Sequence, residues 1–136
     1  MTSRIGEFVI DCHDAEGTAQ FWCAALGYRI TDRDQTGVAI AGHPAAPSIL
    51  LLRSDDPKLA KNRLHFDICP VDTTQSAEIE RLLSLGATHV DISQGERSWV
   101  VMADPDGNEF CVMARVIPPE PEPFHHLDIP DGDTGP

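Results

Sequence analysis

The stretch DPDGNEFCVM (104–113) sets a turn before a strand-like run and places Cys111 on that run between Phe110 and Val112. A cysteine there can be a metal ligand, a nucleophile or a small apolar filler, since free cysteine is among the most buried residue types. Two further groups with chemical range come from a pair of similar segments, IGEFVIDCHD (5–14) and RLHFDICPVD (63–72). At a constant offset of 58, Glu7 falls on His65, Phe8 on Phe66, Ile10 on Ile68 and Asp14 on Asp72. A carboxylate can serve as a base, and an imidazole as a ligand or proton carrier. Alternatively, Glu7 is a solvated strand residue and His65 a hydrogen-bonded, half-buried one. Asp67 shares the face of His65, where it meets a ligand or bonds to a loop. Arg63 clamps an anionic group or ties two halves of the chain together, and Trp99 lines a cleft or packs in the core.

Positioning these groups takes a duplicated framework. With the alternation of a strand, Glu7, Val9 and Asp11 share one face with their counterparts His65, Asp67 and Cys69, while Phe8, Ile10, Phe66 and Ile68 share the other. After each aspartate comes a helix-length segment, AEGTAQFWCAALGY (15–28) and TTQSAEIERLLSLGA (73–87). Asp14 and Asp72 are the expected N-caps, with Gln75 supporting the second, and Gly27 and Gly86 fit the left-handed position that ends a helix. Strand signals follow each helix: YRITD, GVAIAG and SILLLR in the first half; THVDI, SWVVMA and EFCVMARV in the second. The expected fold is therefore α+β: two strand–helix–three-strand units (βαβββ) forming a curved mixed sheet around a cleft, with the helices on the outer side.

Composition bounds what such a chain does. Its 136 residues suffice for one domain with a core, and 41% apolar with 24% charged residues is ordinary for a soluble protein. No apolar run approaches a membrane span, and MTSRIGEF lacks the pattern of a secretory signal, so a cytoplasmic location is expected. Four scattered cysteines without a CxxC pair suggest free thiols. A formal charge of −12, with KLAKNR the one basic cluster, argues against nucleic acid as a partner. GxSxG, GxxxxGK, GxGxxG and HExxH are all absent, which disfavours the corresponding hydrolase, nucleotide and metalloprotease chemistries. From Ile117 onward, six prolines and five acids in twenty residues predict an extended or disordered tail. Its Phe124, Leu127 and Ile129 could still dock on the body or on a partner subunit.

DCHD…FWCAALGY, KNRLHFD and DPDGNEFCV, set in a doubled strand–helix–three-strand unit, resemble the vicinal oxygen chelate superfamily, in particular its glyoxalase-like and bleomycin resistance protein types. The resemblance implies a domain over residues 1–116, made of repeats 4–54 and 62–116, followed by the tail 117–136. It also implies ligand positions in both halves, which fall on Glu7, on His65, on Cys111 and within SILLLR, where every register offers an aliphatic residue. Glu7, His65 and Cys111 would suit a single divalent metal, zinc best, if any is bound. The set does not match the ligands of an iron dioxygenase or of glyoxalase I.

Two functional readings stay open. In one, the cleft binds a small organic molecule without a metal, contacted by His65, Asp67, Arg63 and Trp99. In the other, the protein is a lyase or isomerase in which Glu7 is the general base and His65 holds a metal or polarises a substrate oxygen. A structural or regulatory dimer is a third possibility. A homodimer is expected in any case, because pairing protects sheet edges.

Overall fold

The computed structural model describes residues 1–90 and 98–119. β1 (Glu7–Cys12) alternates as expected, with Glu7, Val9 and Asp11 exposed and Phe8, Ile10 and Cys12 turned inward. α1 (Ala15–Leu26) begins where the Asp14 carboxylate accepts the Gly17 N–H at 3.0 Å. It ends at Gly27, whose φ of 73° and N–H bond to the Cys23 carbonyl close the helix as a left-handed residue does cheaply. β2 (Arg29–Arg33), β3 (Gly37–Ala41) and β4 (Ser48–Arg53) complete a sheet of order β1-β4-β3-β2, in which β1 and β4 run parallel.

The second half repeats the plan with β5 (Asp67–Ile68), α2 (Gln75–Ser84), β6 (Thr88–His89), β7 (Trp99–Ala103) and β8 (Glu109–Met113), in the order β5-β8-β7-β6. The fold is thus α+β with two mixed, four-stranded sheets. Among the described residues their ladders do not run into one another; side chains join the halves. Phe8 meets Phe66 edge-on at 5.7 Å between centroids, and Trp22 of α1 meets Phe66 at 5.6 Å and Phe110 of β8 at 5.0 Å, again edge-on. Burying a side chain such as Phe110 contributes roughly 1.5–3 kcal/mol, and each such aromatic pair adds about 0.5–1.5 kcal/mol.

Polar contacts cross the same junction. Arg81 of α2 donates to the Ala24 and Ala25 carbonyls at the end of α1, at 3.0 and 2.9 Å. The Asp106 carboxylate accepts the His13 N–H at 3.0 Å, and Asn108 Nδ2 donates to the Asp11 carbonyl at 3.2 Å. The DPDG turn is therefore both a hairpin connection and a clasp between the halves.

The second copy departs from the first at its start. Asp72 is not the cap of α2: it has φ 55°, and its N–H bonds the Ile117 carbonyl at 2.9 Å. Thr74 caps the helix instead, accepting the Ala77 N–H at 3.1 Å. Pro70 has no N–H to continue a ladder, and β5 is two residues long where β1 has six. Ile117 stays tied to the body through a bridge to Val71, whereas the tail residues considered for docking, Phe124, Leu127 and Ile129, lie outside the described residues, as does the end of THVDI. Among the described residues no helix is long and apolar enough to cross a membrane.

Candidate functional site

The outward face of β1 and the segment leading into β5 enclose a cleft of about 470 Å³. Glu7, Val9 and Asp11 line it from the first half, and Asn62, Leu64, His65 and Glu109 from the second, with Trp22 and Phe66 beneath. Val9 is 50% exposed and Leu64 76% exposed, so the cleft presents apolar surface that none of the described residues covers. Glu109 is already engaged: Lys58 Nζ lies 2.7 Å from it and the Asn62 N–H donates at 2.9 Å. Burial would raise its pKa, but these donors outweigh burial and hold it below the usual glutamate range. The Glu7 and Asp11 carboxylates are the cleft's open acids, exposed and without a hydrogen-bond partner among the described residues.

Beside the cleft and sharing His65 with it lies a second pocket of about 290 Å³, on the outward face of the second sheet. Asp67 and Cys111 are directly opposite each other in the parallel β5–β8 pairing, and the Cys111 N–H bonds the Phe66 carbonyl at 2.8 Å. His65 Nδ1 is 3.2 Å from Asp67 Oδ1. One donor atom each from His65, Asp67 and Cys111 lies within 4.8 Å of the others, which makes this the one such three-residue group among the described residues. Burial raises the Cys111 thiol's pKa, the Asp67 charge raises it further, and Lys61 opposes in part. A raised thiol pKa disfavours the thiolate that a nucleophile needs.

The expected site residues are thus divided between two places. Glu7 and His65 line the cleft; Asp67, Trp99 and Cys111 line the smaller pocket together with His65. Arg63 is exposed just before β5 and lines neither. The position in SILLLR is fixed by the ladder: Leu50 pairs with Val9 as Cys111 pairs with Asp67. The first-half counterparts of His65, Asp67 and Cys111 are therefore Glu7, Val9 and Leu50. Among the described residues the group of three close donors takes in His65 and Cys111 but not Glu7, and Leu50 offers no donor.

Asn62, Asn108 and Glu109 belong to the cleft wall but carry no signal of it in the sequence: Asn62 and Asn108 sit on the connection and the turn, and Glu109 is the first residue of β8. Asp104 is the turn's organiser. It is 2% exposed, and its carboxylate accepts the Trp22 indole N–H at 2.9 Å and the Asp106 and Asn108 N–H groups at 2.9 and 3.0 Å.

Residues 7–113 match the glyoxalase-like domain family. A search of curated proteins finds no significant match. Among solved structures, the fosfomycin resistance protein FosX from Mesorhizobium loti aligns with a TM-score of 0.64 at 12% identity, covering 85% of this chain and 94% of that one. The hypothetical protein SA1046 from S. aureus aligns at 0.60 and 20% identity over 85% of this chain and 95% of that one. A glyoxalase/bleomycin resistance protein/dioxygenase family enzyme from Burkholderia phytofirmans aligns at 0.61 and 13% identity over 81% and 97%.

Proposed function

The chain belongs to the glyoxalase-like domain family of the vicinal oxygen chelate superfamily, and from that premise we propose that it binds a small organic molecule in the cleft between its two halves. The supporting observation is the cleft itself: about 470 Å³, with uncovered Val9 and Leu64 and the open carboxylates Glu7 and Asp11. Uncovered apolar surface favours an apolar body, and unpaired carboxylates favour a protonated amine or another hydrogen-bond donor on it. The test is a thermal-unfolding screen of matched pairs of small apolar amines and the corresponding carboxylic acids. A ligand at a hundred times its Kd stabilises by about 2.7 kcal/mol, a shift of several degrees. Amines should raise Tm and lose the effect in a Glu7→Gln, Asp11→Asn variant. The reading fails if neither class shifts Tm, or if the acids do so equally.

A second reading, a lyase or isomerase, draws support from Glu7 and His65 lining one cleft, with Glu7 as general base and His65 polarising a substrate oxygen. Glu7→Gln should then abolish turnover with ligand affinity largely kept, and equal loss of both would count against it. The exposed edges β2 and β6 support pairing of two copies, which sedimentation at several concentrations tests. Four unpaired thiols support a reducing compartment.

A further inference from the structure

We infer that the ligand of the cleft is amphoteric: an apolar molecule with a protonated amine at one end and a carboxylate or similar anionic group at the other, the anionic end held by Lys61. The inference rests on the cleft binding proposed above and adds a second end to it. The pocket of about 290 Å³ adjoins the cleft of about 470 Å³ at His65, which walls both. Sites for small organic molecules run from about 300 to 1,000 Å³. The smaller pocket therefore suits one substituent of a molecule whose body lies in the cleft.

Charge divides between the two spaces. The cleft offers the open carboxylates Glu7 and Asp11, whereas the smaller pocket is lined by a cation, Lys61. Among the described residues Lys61 Nζ has no ion-pair partner, and its one hydrogen bond is a long one, 3.5 Å to the Asn62 carbonyl. Lys58, by contrast, is taken up by Glu109 at 2.7 Å and by the Ala60 carbonyl at 2.6 Å. The Lys61 charge is felt inside the pocket, where it opposes burial and Asp67 at the Cys111 thiol. Asp67, the acid lining that pocket, already faces His65 Nδ1 at 3.2 Å. The ammonium is left as the group that pairs with an anionic end, and Trp99, Val101 and Met113 supply apolar wall around it. A plain acid meets Glu7, Asp11 and a formal net charge of −12, and a plain amine leaves Lys61 unused. An amphoteric molecule satisfies both ends. Arg63, the cation that the sequence suggests for an anionic group, lies outside both pockets.

The test is calorimetric titration of the full-length protein with ω-aminoalkanoic acids of increasing chain length, each beside its methyl ester. The ester keeps the amine and the chain but loses the anion. Once the chain is long enough to pass His65, the acid should bind about ten-fold or more tighter than its ester, the scale of one charge-assisted hydrogen bond. Lys61→Met keeps the apolar stem and should erase that preference while leaving the ester's affinity unchanged; Arg63→Met should keep the preference. In the Glu7→Gln, Asp11→Asn variant acid and ester should both weaken, with the preference retained. Esters that bind as tightly as their acids overturn the inference and leave the cleft reading standing. A preference that survives Lys61→Met, or that Arg63→Met removes equally, overturns it as well. If neither acids nor esters bind, both readings fall together.

Discussion

The joint between Trp22 and Asp104 holds the two halves in the relation that makes the cleft, and its strength can be measured. Asp104 Oδ1 takes two backbone N–H groups of the turn, while Oδ2 takes the indole N–H at 2.9 Å. Trp22→Phe removes that donor from a carboxylate only 2% exposed. A hydrogen bond to a charged group is worth about 1.5–3 kcal/mol, and the smaller ring also leaves space, so a loss of roughly 3 kcal/mol is expected. Asp104→Asn keeps a carbonyl for the two backbone donors but turns an amide N–H₂ toward the indole N–H, leaving two buried donors facing each other. Its cost is about 1–3 kcal/mol. The same bond is lost in both single variants, so the double variant should be less destabilised than their sum by about 1.5–3 kcal/mol. Urea unfolding at pH 7, followed by circular dichroism, gives all four corners of the cycle. Additivity within about 0.5 kcal/mol would refute the claim that the indole and the carboxylate act as a pair.

The acid groups also predict pH behaviour of opposite sign. Burial raises the Asp104 pKa against the opposing pull of Trp22 and the turn N–H groups. Its stabilising contribution is therefore present below the ordinary aspartate value and is lost as pH rises through the raised one. Glu109 is lowered, so its contribution is present above the ordinary glutamate value and is lost as pH falls through the lowered one. Glu109→Gln should accordingly flatten the acid limb of stability against pH, as read from urea midpoints between about pH 3 and 6. Gly37→Ala should cost about 1–3 kcal/mol, at the upper end, because a Cβ there would lie 2.2 Å from the Leu51 carbonyl oxygen of the neighbouring strand; the shift in Tm checks it. In native protein, a thiol reagent should modify Cys23 and Cys69 well before Cys12 and Cys111. Cys12 is 2% exposed with its pKa pushed up to about 11, chiefly by burial, and Cys111 is 7% exposed. Denaturant should make all four react alike.

How far the sequence reveals the fold depends on whether a residue's role is local. The offset that lays Phe8 on Phe66 anticipates the aromatic joint between the halves, and Asp14 and Gly27 bound α1 as their chemistry requires. The same offset misassigns Asp72, because the Ile117 carbonyl takes that residue's N–H and leaves Thr74 to cap α2. The roles of Asp104 and Asp106 were hidden for a related reason. A DPDG turn reads as a turn, and only the packing of α1 against β8 brings the Trp22 indole and the His13 N–H to those carboxylates. Asp67 was legible as a face-mate of His65; its pairing with Cys111 required the β5–β8 register.

That register explains why a chain made of two similar units carries its chemistry unequally. Each half presents three outward positions at equivalent points of its parallel strand pair. In the second half these are His65, Asp67 and Cys111; in the first they are Glu7, Val9 and Leu50. One trio offers three different donor atoms within 4.8 Å, and the other a single carboxylate beside two aliphatic side chains. A ligand lying across the halves would meet apolar surface and negative charge on one side and a nitrogen, oxygen and sulfur cluster on the other. Exchanging the trios' character at one point tests that division. Val9→Asp should weaken any ligand whose apolar body rests on Val9, read as a smaller rise in Tm with an amine that stabilises the wild-type protein. If Val9→Asp left that rise unchanged, Val9 would carry no part of the ligand and the division would be wrong.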